Sequence, residues 1–400
     1  MSRPLVTIAQ ALELVLTSTG RLPAEEIAVT DALDRVLAGD VSAESEVPPF
    51  ACSAMDGYAL ADGPADRVLR VVGESRAGAP SAAPLGEGEA IRISTGAAVP
   101  SSASAVIRQE DVEALDTTIR TLSATPAGEN IRGPGEDMQA GTVVLRAGTT
   151  LDPAALGAAV AAGAGTVIVT ARPRVRVLCT GDELREPGEP LGPGEIHNSN
   201  APMLVALAQR CGAVTLPARR LPDDRRATEA ALQGAIETAD VVIVSGGVSV
   251  GPHDHVKPAL ASLGVQERFW RVAMQPGKPT WFGVKDGKLV FGLPGNPVSA
   301  YVTFSLFARP ALAALQGATG DRQHVEHAAL GVDVRRSPDR EQALRVRLER
   351  SNGALVAMPN GPQGSHIISS LLGADALALI PRGEGALAAG ELVELAALPH

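Results

Sequence analysis

The chain has 400 residues, 45% of them apolar, a length that corresponds to roughly two to four domains with cores of ordinary size. Its net charge of −10 and aromatic content of 2% exclude a surface built to neutralise nucleic-acid phosphates or to stack bases. Three widely spaced cysteines, Cys52, Cys179 and Cys211, form neither a disulfide framework nor a CxxC thiolate site, so a reducing compartment and a cytoplasmic location are expected.

The first apolar run, TIAQALELVL, has the look of a signal-peptide core, but Glu13 interrupts it and no small-residue cleavage site follows. Thr7 and Gln10 have capping-box spacing, and Ile8, Leu12, Val15 and Leu16 recur at helical spacing, so an amphipathic helix is predicted. No uncharged apolar run approaches the roughly 18 residues of a membrane span, and no membrane partner is expected. Residues 46–139 are rich in Gly, Pro and Ser and carry short alternating runs (RVLRVVGES, EAIRIS, DTTIRTLSA), the pattern of short antiparallel strands with many turns. LDPAALGAAVAAG then reads as a helix. From VRVLC onward apolar strands alternate with helices through VTLPA, DDRRATEAALQGAIETA, VVIV and HVKPALASLG, the signature of parallel βαβ units. After about residue 324 the chain returns to short β-like runs (ALRVRLER, ALVAMP, ALALIP, ELVELAAL), which predict a small barrel or sandwich.

In an open parallel sheet, ligands bind beyond the carboxyl ends of the strands. Three unusual loops fall at such exits: TGDEL with Thr180, Gly181 and Glu183; SGGVSVGPHD with Ser245, Gly246, Gly247, Ser249, Gly251 and Asp254; and GLPGNPVSA with Pro294, Asn296, Pro297 and Ser299. The Lys-Ser/Thr ending of a P-loop and the full GxGxxG spacing are both missing. Three such loops in one α/β region nevertheless point to a phosphorylated ligand, held by backbone N–H groups and a helix N-terminus. Glu183, Asp254 and Asp223 would place carboxylates at that same site, a conflict that Mg²⁺ resolves, since it is held by one or two carboxylates together with substrate phosphates. Asp223 is equally readable as a helix cap in LPDD. His253 and His255 flank Asp254 but have no third nitrogen or sulfur ligand near them in sequence, which argues against zinc. Of the four lysines, Lys257, Lys278, Lys285 and Lys288, the last two flank a hairpin-like Asp-Gly turn. Lys278 sits in QPGKP, a rigid segment in a chain whose usual cation is arginine, and its compact ammonium suits an oxyanion.

PPFACSAMDGYAL, STGAAVP, RGPGEDM, TGDEL, HNSN, SGGVSVGPHD, QPGKPTWFG and GLPGNPVSA together resemble, in order and from end to end, the MoeA and gephyrin E-domain family, the molybdenum insertases. The resemblance implies an α/β plus β multidomain fold. It comprises an N-terminal linker and dimer domain of residues 1–45 plus 140–172, an inserted β-rich domain of 46–139, a central parallel-sheet α/β domain of 173–322 like that of molybdopterin adenylyltransferases, and a C-terminal β-barrel of 323–400. It also implies Mg²⁺-dependent insertion of molybdate into adenylylated molybdopterin with release of AMP, in an L-shaped homodimer whose subunits share the site, with a molybdopterin adenylyltransferase as delivering partner. Carried over by motif, the functional acids fall on Asp56, Asp137, Glu183, Asp223 and Asp254, with Thr95 beside them, Glu183 and Asp254 serving the metal. A fixed cation and fixed donors for a doubly charged tetrahedral oxyanion would come from Lys278, Asn296 and Ser299, and Ser365 in PQGSH follows the family pattern.

The chain departs from the family's KPGKP and its earlier lysine, carrying Gln275 and Arg271 there, which adds weight to Lys278. Two other readings stay open at this level. A molybdopterin adenylyltransferase would bind the same pterin, although GGVSVGPHD stands where that family has a threonine-containing GGTG. A non-catalytic scaffold would bind the pterin nucleotide without needing the acids.

Overall fold

The computed structural model describes residues 5–248, 255–319, 326–351 and 353–398. Ser249, Gly251 and Asp254, expected in the longest ligand loop, lie outside the described residues.

Strands far apart in sequence close the unit from which the β-rich insertion departs. Ala24–Ala28 runs antiparallel to Thr166–Thr170, and the Pro153–Ala161 helix lies beside them, its first turn capped by Asp152 accepting from Ala155 N–H, with proline at the start where no N–H is missed. Leu37, Leu151, Val167 and Val169 fill the core between them. The inserted region folds into a six-stranded sheet in the order Ala105–Arg108, Gly57–Leu60, Glu89–Ile93, Val68–Ser75, Thr118–Thr121, Val112–Leu115. One pair in it, Val68–Ser75 with Glu89–Ile93, is parallel, so the all-antiparallel expectation holds for the rest but not there. The link between those two strands is long enough for a crossover, which short alternating runs do not reveal.

In the central domain the strand order is Val214–Leu221, Arg174–Thr180, Val241–Ser245, Lys288–Leu293, Trp281–Lys285, Gln266–Trp270. The first four are mutually parallel; Trp281–Lys285 runs against them, and Gln266–Trp270, antiparallel to that strand, runs with them again. The parallel prediction therefore holds for every strand of the sheet but Trp281–Lys285. The exception is local: Asp286 and Gly287 both take positive φ, 49° and 77°, and make a two-residue hairpin turn. The continuous apolar run of the Val241–Ser245 strand arises because both faces are covered. Val241 and Ile243 enter one core, and Val242 and Val244 enter the other.

The Asn200–Arg210 and Arg309–Gln316 helices cover the first face, and Arg225–Thr238 with Val256–Ser262 covers the second. The N-terminal Ile8–Thr17 helix also lies on the first core through Ile8, Ala11 and Val15, with the predicted capping box between Thr7 and Gln10. One helical stretch among the described residues, Pro297–Gln316, is long and apolar enough to cross a membrane, which the search for uncharged runs passed over because of Arg309; 72% of it is buried inside the protein.

The C-terminal strands close on themselves. Glu341–Ser351 pairs with both Ala354–Pro359 and Ala376–Ile380, and Leu392–Ala397 completes the circuit through Glu326–Leu330, a five-stranded barrel. Met274 and Gln275 of the central domain pair with Glu341 and Gln342 at its edge, so the segment carrying Lys278 is tied to the barrel.

Candidate functional site

A cavity of about 630 Å³ opens beyond the carboxyl ends of the Arg174–Thr180, Val241–Ser245 and Lys288–Leu293 strands. Thr180 and Glu183 come to it from the first exit, Ser245, Gly246 and Gly247 from the second, and Pro294, Asn296 and Pro297 from the third. The three loops singled out in sequence thus converge on one place. Glycine is required at the second exit: Gly246 and Gly247 have φ of 90° and 66°, and a Cβ on Gly246 would lie 2.7 Å from Thr180 Oγ1 while one on Gly247 would lie 2.6 Å from Val256 Cγ2. The Gly246 N–H is taken by the Leu293 carbonyl at 3.0 Å, so the side-chain-free backbone that reaches the cavity with a donor to spare, among the described residues, is that of Gly247.

At the third exit the Pro297–Thr303 helix starts with Asn296 at its cap position, yet the Asn296 side chain makes no capping bond. Its Nδ2 instead donates to Ser365 Oγ at 3.0 Å, and Val298 N–H donates to the Ser365 carbonyl at 3.3 Å. The barrel therefore reaches the cavity through Ser365 and its neighbour His366, which lines the wall. Ser299 is buried in the first helical turn at 4% exposure, beneath the lining rather than on it. The helix N-terminus presents its partial positive charge to this space, although Pro297 has no N–H and the Val298 N–H is already taken by Ser365.

Glu183 lines the rim beside Gly181, and its carboxylate has no hydrogen bond or ion pair among the described residues. The two readings of LPDD separate cleanly. Asp224 is the cap of the Arg225–Thr238 helix, accepting from Ala227 N–H at 2.8 Å, which leaves the exposed Asp223 carboxylate uncommitted; its backbone N–H donates to Asp182. Lys278 is exposed next to Pro279, which lines the cavity, and the turn beneath it is held by Thr280 donating to the Gly277 carbonyl at 2.6 Å. Among the described residues no group of three or more His, Cys, Asp or Glu side chains is set to hold a metal ion.

Asp56, Thr95 and Asp137 do not join this cavity. Thr95 donates both its N–H, at 2.7 Å, and its hydroxyl, at 2.9 Å, to the same Asp56 oxygen. The backbone N–H first, then the hydroxyl, hold that carboxyl below its ordinary range. Asp137 lies in a separate hollow of about 510 Å³ with Cys52, Arg132 and Glu136. Within one chain, then, Glu183 alone of the described predicted acids lines the cavity, and Asp56, Asp137 and Asp223 do not.

Sequence reasoning passed over three residues of the site. Cys179 lies at the floor, its thiol pushed up to about 12 by burial, so at neutral pH it is an inert thiol and not a nucleophile. Arg345 is fully buried; its Nε donates to Ser370 Oγ at 3.1 Å and its Nη2 to the Pro362 and Gly364 carbonyls at 3.3 Å, clamping the turn that carries Ser365. Burial lowers its pKa to about 10. Nothing local sets it apart from Arg347 two residues on. Asn200, quoted only as part of HNSN, bridges two of the ligand loops.

A larger hollow of about 810 Å³, at the junction of the linker and central domains, contains none of the predicted residues. The chain matches the MoeA N-terminal region (domain I and II) over residues 6–163, a probable molybdopterin binding domain over 176–314 and the MoeA C-terminal region (domain IV) over 327–398. It is 36% identical to a molybdopterin molybdenumtransferase of Haemophilus influenzae, covering 94% of each chain. It is 30% identical to one of Staphylococcus aureus strain Mu50, over 98% of this chain and 95% of the relative. A solved molybdopterin biosynthesis MoeA protein of Pyrococcus horikoshii superposes with a TM-score of 0.82 at 32% identity, covering 98% of this chain and 100% of that one. With its three regions matched in order and relatives at this identity along nearly the whole length, the chain belongs to the MoeA family, a family of transferases in molybdenum cofactor biosynthesis.

Proposed function

We propose that the chain inserts molybdenum from molybdate into adenylylated molybdopterin with Mg²⁺-dependent hydrolysis and release of AMP. The observation that carries this reading is the convergence on one cavity of three strand-exit loops, a helix N-terminus and the Glu183 carboxylate, which has no partner among the described residues. The side-chain-free backbone at Gly247 and the positive end of the Pro297–Thr303 helix suit the phosphates of the pterin nucleotide. Lys278, beside the lining residue Pro279, would supply a compact cation, and Ser365, fixed by Asn296, a hydroxyl positioned before a tetrahedral oxyanion arrives.

Glu183 fits magnesium in the mode in which one carboxylate and phosphate oxygens share the ion, with Asp254 from the neighbouring loop as the second carboxylate. Bound there, the ion would offset phosphate charge and polarise the phosphoric anhydride. A homodimer completes the proposal: a second copy would bring Asp56, Thr95 and Asp137 to this cavity, and a molybdopterin adenylyltransferase would deliver the substrate. The reaction takes place in the cytoplasm on this reading.

The test is incubation of the purified chain with adenylylated molybdopterin, Mg²⁺ and molybdate, following AMP. AMP release that depends on molybdate is expected. Tight binding without release would leave a carrier or scaffold, and consumption of ATP with transfer of AMP to molybdopterin would make the chain an adenylyltransferase.

A further inference from the structure

Asn200 is the first residue of the Asn200–Arg210 helix and is 9% exposed. Its Nδ2 donates to Ser245 Oγ at 2.8 Å and to the Gly295 carbonyl at 2.7 Å. One amide therefore touches the loop after the Val241–Ser245 strand and the loop after Lys288–Leu293. The two loops run alongside each other: Gly246 N–H donates to the Leu293 carbonyl at 3.0 Å, and a Cβ on Gly295 would lie 3.9 Å from Gly246 Cα.

Neither recipient depends on the amide to be satisfied. Ser245 Oγ already donates to the Pro294 carbonyl at 3.3 Å, and Gly295 is exposed, so its carbonyl is open to hydration. The other half of the amide, Oδ1, is buried with no partner among the described residues. A buried acceptor left dry lowers stability, and an apolar side chain of the same shape would avoid that cost. What the amide adds is a fixed distance between two loops that the ligand must fit simultaneously.

We propose that Asn200 is a positioning residue that sets the spacing of the Ser245 and Gly295 loops and thereby the fit of the pterin nucleotide. The proposal rests on the reading of this cavity given above. Asn200 lines the cavity, but its Oδ1 is out of reach of solvent and its Nδ2 is occupied by both loops, so it acts through the loops and not by a polar contact with the substrate.

The experiment compares the full-length wild type with Asn200→Leu, Asn200→Asp and Ser245→Ala. Asn200→Leu should unfold within about 3 °C of the wild type. Exchange of the Gly246 amide should quicken roughly tenfold, and the KM for adenylylated molybdopterin should rise roughly tenfold with kcat changed far less. Asn200→Asp keeps the shape but sets a carboxylate against the Gly295 carbonyl, and should raise KM further. Adding Ser245→Ala to Asn200→Leu should cost less than the sum of the two single changes, because one bridge is broken in both. Unchanged KM and unchanged Gly246 exchange in Asn200→Leu, or strict additivity with Ser245→Ala, would overturn the proposal. If Asn200→Leu does not fold, Asn200→Asp carries the same two readouts. A wild type that neither binds nor turns over adenylylated molybdopterin would instead sink the functional reading, while the exchange measurement would still decide whether Asn200 holds the loops.

Discussion

The Asp56 carboxyl is held below its ordinary range chiefly by hydrogen bonds, with a smaller attraction from Arg92 and no ion pair among the described residues. Two donors from Thr95 converge on one oxygen, the backbone N–H giving the larger effect. A carboxyl whose folded pKa lies below its unfolded value stabilises the fold above the unfolded pKa, and that contribution fades as pH falls through the folded value. Thr95→Ala removes the hydroxyl and leaves the N–H. The Asp56 carboxyl, titrated by NMR, should then move up toward its ordinary value while staying below it; an unmoved titration would show that the hydroxyl has a different task. Lys278 makes the opposite kind of case. It is exposed and without an ion pair among the described residues, so Lys278→Ala should change unfolding free energy by no more than about 0.5 kcal/mol and yet abolish molybdate-dependent AMP release. Retained release would remove the lysine from the mechanism. Lys278 was legible in the sequence because lysine is scarce in this chain. Whether Asp223 or Asp224 caps the helix was not, because the choice depends on where the preceding strand stops, and neighbouring acids carry the same composition.

The Val241–Ser245 strand is the clearest case of an element read correctly for a physical reason: four consecutive apolar residues admit no wet face, and the structure supplies a core on each side. Ile243 is fully buried in the larger core, so Ile243→Ala should cost about 2–5 kcal/mol through lost burial and the cavity left behind. Denaturant unfolding monitored by far-UV circular dichroism measures it. A cost under about 1 kcal/mol would mean that the neighbours collapse into the space. Strand direction was less legible than strand existence. The one reversed strand, Trp281–Lys285, is as apolar and as buried as its parallel neighbours, and only the positive-φ turn at Asp286 and Gly287 betrays the reversal. Barrel closure likewise depends on Glu341–Ser351 finding Ala376–Ile380, a pairing between distant segments that alternation alone does not specify.

At the scale of the molecule, the acids expected to act together lie apart. Glu183 lines the cavity of the central domain, Asp137 lies in the hollow of the inserted region, and Asp56 lies in neither. Motif order placed all of these residues on the chain, but order along a chain does not say which copy completes which site. If the site is shared between subunits of a two-fold dimer, the defects of Lys278→Ala and Asp56→Asn lie on opposite sides of every active cavity. Each variant alone forms dimers in which both cavities carry the same defect, and both should be inactive. In a mixed dimer, one cavity takes both substitutions and the other takes neither. Co-refolding equal amounts should give about half mixed dimers with one intact cavity each, and so roughly a quarter of the wild-type rate of molybdate-dependent AMP release. A cavity built within one chain would give none, because no chain in the mixture would carry both residues. Recovery should also grow with time of subunit exchange, which ties the returned activity to the mixed dimer and not to residual activity in either variant.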